Sequence, residues 1–181
     1  MRVITGIARG KRLLSPEGYD IRPTSDKVKE SVFSAIQFDI EGAKVLDLFA
    51  GSGQLGIEAL SRGAQSAVFV DKSNSAINVV KQNIAATGFA DKSTVISADY
   101  TTFLARNNTK FDIAFLDPPY QLGILKDALE KTALTMSNSG IIVCEHPLDV
   151  VLDEEIGQFS LYRKYKYSKI CVSLFRVKEL D

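Results

Sequence analysis

The sequence predicts an α/β fold: a mostly parallel sheet with helices on both faces, finished by a C-terminal antiparallel hairpin and preceded by a small N-terminal hairpin-and-helix extension. Between residues 43 and 146, short apolar runs alternate with stretches of helical periodicity, the pattern of βαβ units. Residues 159–177 change to a period of two, as antiparallel strands do. The 181 residues, 45% hydrophobic and 24% charged, suit one compact chain with a real core. We divide it into an extension over residues 1–40 and a larger unit over 41–181.

Each element follows from its own pattern. Residues 2–6 and 11–16 read as two short strands around the stretch Ile-Ala-Arg-Gly. Residues 24–36 read as a helix started by Thr24 or Ser25, with Val28, Val32 and Ile36 turned inward. A first core strand covers 43–50. The helix after it, 53–63, carries Leu55, Ala59 and Leu60 on one side and Gly63 near its end. A strand over 66–71 precedes a helix over 73–88, with Ile77, Val80 and Ile84 in helical register and Gly88 as its stop. A third strand (93–99), a short helix (101–107) and a fourth strand (110–117) follow. A helix over 124–136 with Leu125, Leu129 and Ala133 leads to a fifth strand over 139–146. The crossovers should be right-handed.

No apolar run approaches the roughly 20 residues of a membrane helix, and the first residues lack the continuous apolar region of a signal peptide. Cys144 and Cys171 fit no metal spacing and read as reduced core thiols of a cytoplasmic protein. The formal net charge is zero, but the distribution is uneven. Residues 1–29 hold seven Lys/Arg and three Asp/Glu, residues 159–178 hold six and none, and residues 30–158 hold nine and seventeen. Two basic ends on an acidic middle point to a phosphate-binding face.

Gly51, Gly53 and Gly56 form G-x-G-x-x-G between a strand and a helix, where free N–H groups and close backbone approach make a cofactor cradle. Asp71, twenty residues after Gly51, ends the next strand and can accept from ribose hydroxyls. Two cofactors satisfy this pattern, a nicotinamide dinucleotide and S-adenosylmethionine. Asp47, just before the glycines, would repel a pyrophosphate and attract an ammonium. Asp99 offers a carboxylate for an adenine amino group, or a cap for the next helix.

The fourth strand ends in Asp117-Pro118-Pro119-Tyr120. Prolines stiffen the corner and withhold N–H donors, leaving the Pro118 carbonyl as an acceptor beside the Asp117 carboxylate and the Tyr120 ring. In open α/β sheets, ligands bind at this end of the strands. Two acceptors beside a flat ring suit a planar –NH2 of a nucleobase. Hydrogen bonds from that amine draw its nitrogen toward a pyramidal, nucleophilic shape.

The glycine loop with this corner resembles the S-adenosylmethionine-dependent methyltransferases of exocyclic or amide nitrogen. Together with residues 4–16 and the Arg-Pro-Thr segment leading into residues 25–36, the chain resembles the RsmD family over nearly its whole length. That resemblance implies a Rossmann-like class I methyltransferase fold and methylation of N2 of one guanine in bacterial 16S ribosomal RNA. It implies cofactor contacts at Asp47, Phe49, Gly51, Ser52, Gly53, Asp71, Asp99 and Tyr100, with Arg22 and Thr24 near the methionine end. Asp117, Pro118, Pro119 and Tyr120 are the implied clamp. Arg2, Arg9, Lys11 and Arg12 are the implied basic arm, and no metal is required. The chain departs from the family pattern at Asp71, where Glu is usual, at Ser73, at Lys27 and Lys29, and at Ser168 in the C-terminal turn.

Other residues carry weaker signals. His146, the only histidine, reads as a structural partner for Glu145 or for the chain turn at Pro147. Lys164, Lys166 and Lys169, interleaved with Tyr165 and Tyr167, read either as an RNA-contacting stripe with stacking rings or as a strand with one wet face. The substrate expected is 16S rRNA in a partly assembled small subunit, because a small basic arm reads little sequence. The rival functions are a DNA adenine-N6 methyltransferase, a nicotinamide-dependent dehydrogenase and a catalytically inactive RNA-binding assembly factor.

Overall fold

The computed structural model describes residues 1–16, 26–120 and 123–178. Its elements are α1 (Asp26–Ala35), β1 (Lys44–Leu48), α2 (Gln54–Ser61), β2 (Ser66–Asp71), α3 (Asn74–Thr87), β3 (Ser93–Ser97), α4 (Tyr100–Arg106), β4 (Phe111–Leu116), α5 (Leu125–Ala133), β5 (Met136–Pro147), β6 (Glu155–Ile156), β7 (Phe159–Lys166) and β8 (Ile170–Val177). Eight strands form one sheet in the order β3-β2-β1-β4-β5-β8-β7-β6. The first five are parallel, and β8 enters antiparallel between β5 and β7. Strand order reverses between β1 and β4, and that switch point opens a crevice at the carboxyl ends of the strands.

Alternation along each strand sorts side chains to two faces. Val45, Phe69, Ile113, Phe115 and Val143 face α1, α2, α3 and the N-terminal segment in one core cluster. Leu46, Leu48, Ala114, Leu116 and Cys144 face α4 and α5 in another. Val3, Ala8 and Leu13 of the extension join the first cluster, so the extension is packed onto the sheet. Val28, Val32 and Ile36 are buried as the spacing predicts, and Gly88 ends α3 in a left-handed conformation.

Four details differ from the sequence reading. The two N-terminal strands shrink to a single bridge between Arg2 and Arg12. Val3 N–H still donates to the Lys11 carbonyl and Leu13 N–H to the Met1 carbonyl, but the next donors leave the hairpin: Ile4 and Thr5 donate to the Glu58 carboxylate at 2.8 and 3.0 Å, and in the connecting turn Ala8 donates to Ser61 Oγ at 3.0 Å. Helix α2 is buried all round rather than on one side, because the sheet covers one flank and the N-terminal segment the other. Fully buried Lys29 and Glu58 lie 3.7 Å apart in that seam. Strand β5 begins at Met136, three residues earlier than expected, and α5 ends at Ala133. The short β6 extends the far edge beyond the expected hairpin. Ser168 does not prevent that hairpin, which closes with Tyr167 N–H donating to the Ile170 carbonyl at 2.9 Å. Cys144 and Cys171 are buried, unbridged thiols. Among the described residues, no helix is long and apolar enough to cross a membrane, and no group of His, Cys, Asp or Glu could hold a metal ion.

Candidate active site

The glycine loop turns from β1 into α2 at the switch point. Asp47 is 3% exposed and its Oδ2 accepts the Gly56 N–H of the first turn of α2 at 2.9 Å. Burial pushes the Asp47 carboxyl up to about 7; the Gly56 N–H opposes this and the Asp71 charge adds to it. A Cβ on Gly56 would lie 2.4 Å from the Phe69 ring and 3.2 Å from Asp47 Oδ2, so only glycine fits there. One helix N-terminal donor is thus already occupied by a carboxylate. A pyrophosphate would meet that negative charge instead of a free N–H, which disfavours a dinucleotide. Gln54 Oε1 is buried beside the loop and has no hydrogen bond among the described residues. These groups fit the ammonium end of S-adenosylmethionine.

Asp71 closes β2 with both oxygens in contact with backbone. Oδ2 accepts from Gly51 N–H at 2.9 Å and Oδ1 from Ser73 N–H at 2.8 Å. It therefore shapes the loop. Phe49 holds φ at +71°, the one non-glycine residue with positive φ among those described. Such strain persists only where the surroundings enforce it, commonly at a binding site. Its ring lies 5.3 Å from the Tyr100 ring. Tyr100 in turn donates its hydroxyl to Asp127 at 2.7 Å, and burial first, then Asp127, pushes its phenol up to about 12. Exposed Asp99 caps α4, accepting from the hydroxyl and the N–H of Thr101 at 2.6 and 2.9 Å, and the hydroxyl first, then the N–H, hold its carboxyl below the usual range. Both roles read for Asp99 are compatible with this position.

Asp117 is half-buried immediately beyond β4, followed by buried Pro118 and exposed Pro119 and Tyr120. Burial, then the Glu145 and Asp47 carboxylates, raise the Asp117 carboxyl well above its ordinary value. Neither its carboxylate nor the Pro118 carbonyl has a hydrogen bond among the described residues. Tyr120 donates its hydroxyl to Glu145 Oε1 at 3.0 Å. Sequence reasoning missed this tether, although Glu145 stands near the end of the neighbouring strand β5. The structure therefore gathers Asp47, Phe49, Gly51, Ser52, Gly53, Asp71, Asp99, Tyr100 and residues 117–120 along one rim. Arg22 and Thr24 lie outside the described residues.

His146 is buried and structural. Its Nδ1–H donates to the Pro147 carbonyl at 2.8 Å, so Nε2, 2.9 Å from Ser173 Oγ, accepts from that hydroxyl. Burial, with the Lys164 charge, lowers its pKa despite the Pro147 bond, which keeps the ring neutral. Glu145 is thus a partner of Tyr120 and not of His146.

The basic groups divide between the N-terminal segment and the β7–β8 hairpin. Arg9, Lys11 and Arg12 are exposed and have no ion pair among the described residues, whereas Arg2 pairs with Asp26 at 3.0 Å. Leu14, two residues after Arg12, is held by the glycine loop, because the Leu14 and Ser52 carbonyls both accept from Asn83 Nδ2, at 3.0 and 2.8 Å. Arg9 lies at the tip, toward the C-terminus of α2. Lys164, Lys166 and Lys169 are exposed. Strand β7 runs parallel to β5, so the turn after Lys166 reaches the same rim as the Asp117 corner. Tyr165 and Tyr167 turn inward against the core cluster, which corrects their reading as stacking platforms.

A parallel sheet with this switch point, a glycine loop braced by a buried acid, and an Asp-Pro-Pro-Tyr corner define an S-adenosylmethionine-dependent methyltransferase of class I. The chain belongs to the RsmD family: a family model described as "Conserved hypothetical protein 95" matches residues 1–176. YlbH of Bacillus subtilis (strain 168) is 40% identical, over 97% of this chain and 98% of its own. Ribosomal RNA small subunit methyltransferase D of Escherichia coli (strain K12) is 31% identical, over 97% of this chain and 89% of its own. The solved structure of the yhhF protein of Escherichia coli superposes with a TM-score of 0.86 at 30% identity, covering 99% of both chains.

Proposed function

We propose that the protein transfers a methyl group from S-adenosylmethionine to the exocyclic N2 of a guanine in 16S rRNA, within a partly assembled small ribosomal subunit in the cytoplasm. The observation that carries this reading is the pair of acceptors at the end of β4, the Asp117 carboxylate and the Pro118 carbonyl, beside the switch point where the glycine loop begins. The name of the Escherichia coli relative and the exposed basic residues of the N-terminal segment and the β7–β8 hairpin support the RNA substrate.

When bound, the cofactor supplies a methyl group made electrophilic by a sulfonium. The chain's residues do the rest. Asp47, Asp71 and the loop amides would hold the cofactor, with Phe49, Asp99 and Tyr100 at its base. Asp117 and the Pro118 carbonyl would accept the two N–H bonds of the target amine and turn its lone pair toward the methyl. The nitrogen lone pair would form the new N–C bond as the methyl–sulfur bond gives way, the bonding pair staying on sulfur, and the extra proton on nitrogen would pass to solvent. Tyr120 supplies a flat face for the base.

The test compares rRNA nucleosides by mass spectrometry in a deletion strain complemented with wild type or with Asp117→Ala. One N2-methylguanosine of 16S rRNA should vanish on deletion, return with wild type and stay absent with the variant. The purified variant should lose at least about 100-fold in turnover while its affinity for S-adenosylhomocysteine changes little. Unchanged methylation at every 16S guanine would refute the proposal.

A further inference from the structure

Glu145 stands beside the clamp. Leu116 of β4 pairs with Cys144 of β5 in parallel register. The next residues, Asp117 just beyond β4 and Glu145 within β5, therefore lie side by side and face the same side of the sheet. Glu145 is 7% exposed, and its Oε1 is fixed by the Tyr120 hydroxyl at 3.0 Å. It lines a cavity of about 150 Å³ together with Pro118, Pro119 and Tyr120. A carboxylate accepts up to about four hydrogen bonds, so holding Tyr120 and reading a substrate N–H are compatible.

The acceptors at this corner match one base edge. Asp117 and the Pro118 carbonyl take an –NH2 group; Glu145 is a further acceptor next to them. Guanine presents N1–H adjacent to its N2 amine, an unbroken row of donors. Adenine and cytosine present an amine beside a bare ring nitrogen, which a carboxylate would repel. We propose that Glu145 is the specificity-determining residue, accepting guanine N1–H while Asp117 and Pro118 hold the N2 amine. This deepens the guanine-N2 reading and rests on it.

The test uses small-subunit particles reconstituted with 16S rRNA carrying either guanosine or 2-aminopurine riboside at the methylated position. 2-Aminopurine keeps the amine but has a bare N1. Wild type should lose at least about 100-fold in kcat/KM on 2-aminopurine, because an unmatched buried acceptor faces a lone pair. Glu145→Gln offers an N–H to that nitrogen. It should lose a comparable factor on guanosine and gain at least about 10-fold on 2-aminopurine relative to wild type, shrinking or reversing the preference. Tyr120→Phe should keep the guanosine preference. Titration with S-adenosylhomocysteine checks that Glu145→Gln is folded. If that variant fails to fold, the wild-type comparison still decides. Equal kcat/KM on both bases, or an unchanged preference in Glu145→Gln, overturns the role of Glu145 alone. No transfer to guanosine by wild type would instead sink the guanine reading itself.

Discussion

Asp47 shows how one buried acid ties the cofactor loop to pH. Its carboxyl is raised to about 7, mainly by burial, while its Oδ2 braces the first turn of α2 through Gly56. The unfolded chain would release this proton near the ordinary value of 3.8. Between those values the folded state holds a proton that the unfolded state has lost. Asp47 therefore weakens the fold as pH rises through that window, by up to about 1.4 kcal/mol per pH unit, and the penalty levels off above it. Asp47→Asn keeps an oxygen for Gly56 and removes the titration. Urea unfolding at pH 5 and pH 8 should show the variant gaining on wild type by a few kcal/mol between the two. A constant gap would mean that Asp47 is already ionised in the folded protein. The same charge is useful once a cationic ligand arrives, since an ammonium favours the ionised form that burial opposes.

Helix α3 joins the N-terminal segment to the cofactor loop through a single side chain. Asn83 is 1% exposed and makes three bonds. Its Oδ1 accepts the Leu14 N–H at 2.8 Å, while Nδ2 donates to the carbonyls of Leu14 and Ser52. Ser52 Oγ also lies 3.1 Å from Met1 Sδ. Asn83→Ala would leave the buried Ser52 carbonyl without this partner, at a cost of about 1–3 kcal/mol before water enters, and would free the part-buried Leu14 backbone groups. We expect a lower denaturant midpoint and several-fold weaker S-adenosylhomocysteine binding by titration calorimetry. Thr87→Ala, which loses only bonds to the Asn83 and Ile84 carbonyls of its own helix, should leave ligand affinity unchanged. Equal effects from both would reduce Asn83 to a stability role. This seam was not legible in the sequence. The βαβ alternation was, because buried strands and one-sided helices repeat every few residues. Leu14, Asn83 and Ser52 are polar or isolated positions, and only the folded chain brings them together. Gly6 makes the same point: a Cβ there would lie 1.8 Å from the Ser61 carbonyl oxygen, a constraint no local pattern reveals.

Across the whole molecule, the uneven charge distribution was legible, but its division of labour was not. Several basic residues at the two ends serve the fold. Lys29 is buried against Glu58, Arg176 pairs with Asp39 at 2.8 Å, and Lys178 pairs with Glu155 at 2.8 Å. Among the described residues, Arg9, Lys11 and Arg12 at one end and Lys164, Lys166 and Lys169 at the other remain exposed without an ion pair. The β7 lysines lie beside the rim that carries the Asp117 corner, and the N-terminal group lies on the segment that runs from the glycine loop toward the far end of α2, so an RNA strand entering the corner would bring phosphates past both groups. Replacing Lys164, Lys166 and Lys169 with alanine should weaken RNA binding on all sequences alike, since lysine–phosphate pairing positions the strand without specifying its bases. Every lysine that no longer neutralises a phosphate should lower the slope of log K against log[salt] by about 0.7–0.9, so the triple variant should lose about 2 to 3 units of slope. Affinity for S-adenosylhomocysteine should stay at the wild-type value, because β7 lies four strands from β1 in the sheet order. Filter binding of 16S rRNA across a salt series reads the slope directly. An unchanged slope would place the RNA on the Arg9–Arg12 side alone and return the β7 lysines to the role of a solvated strand face.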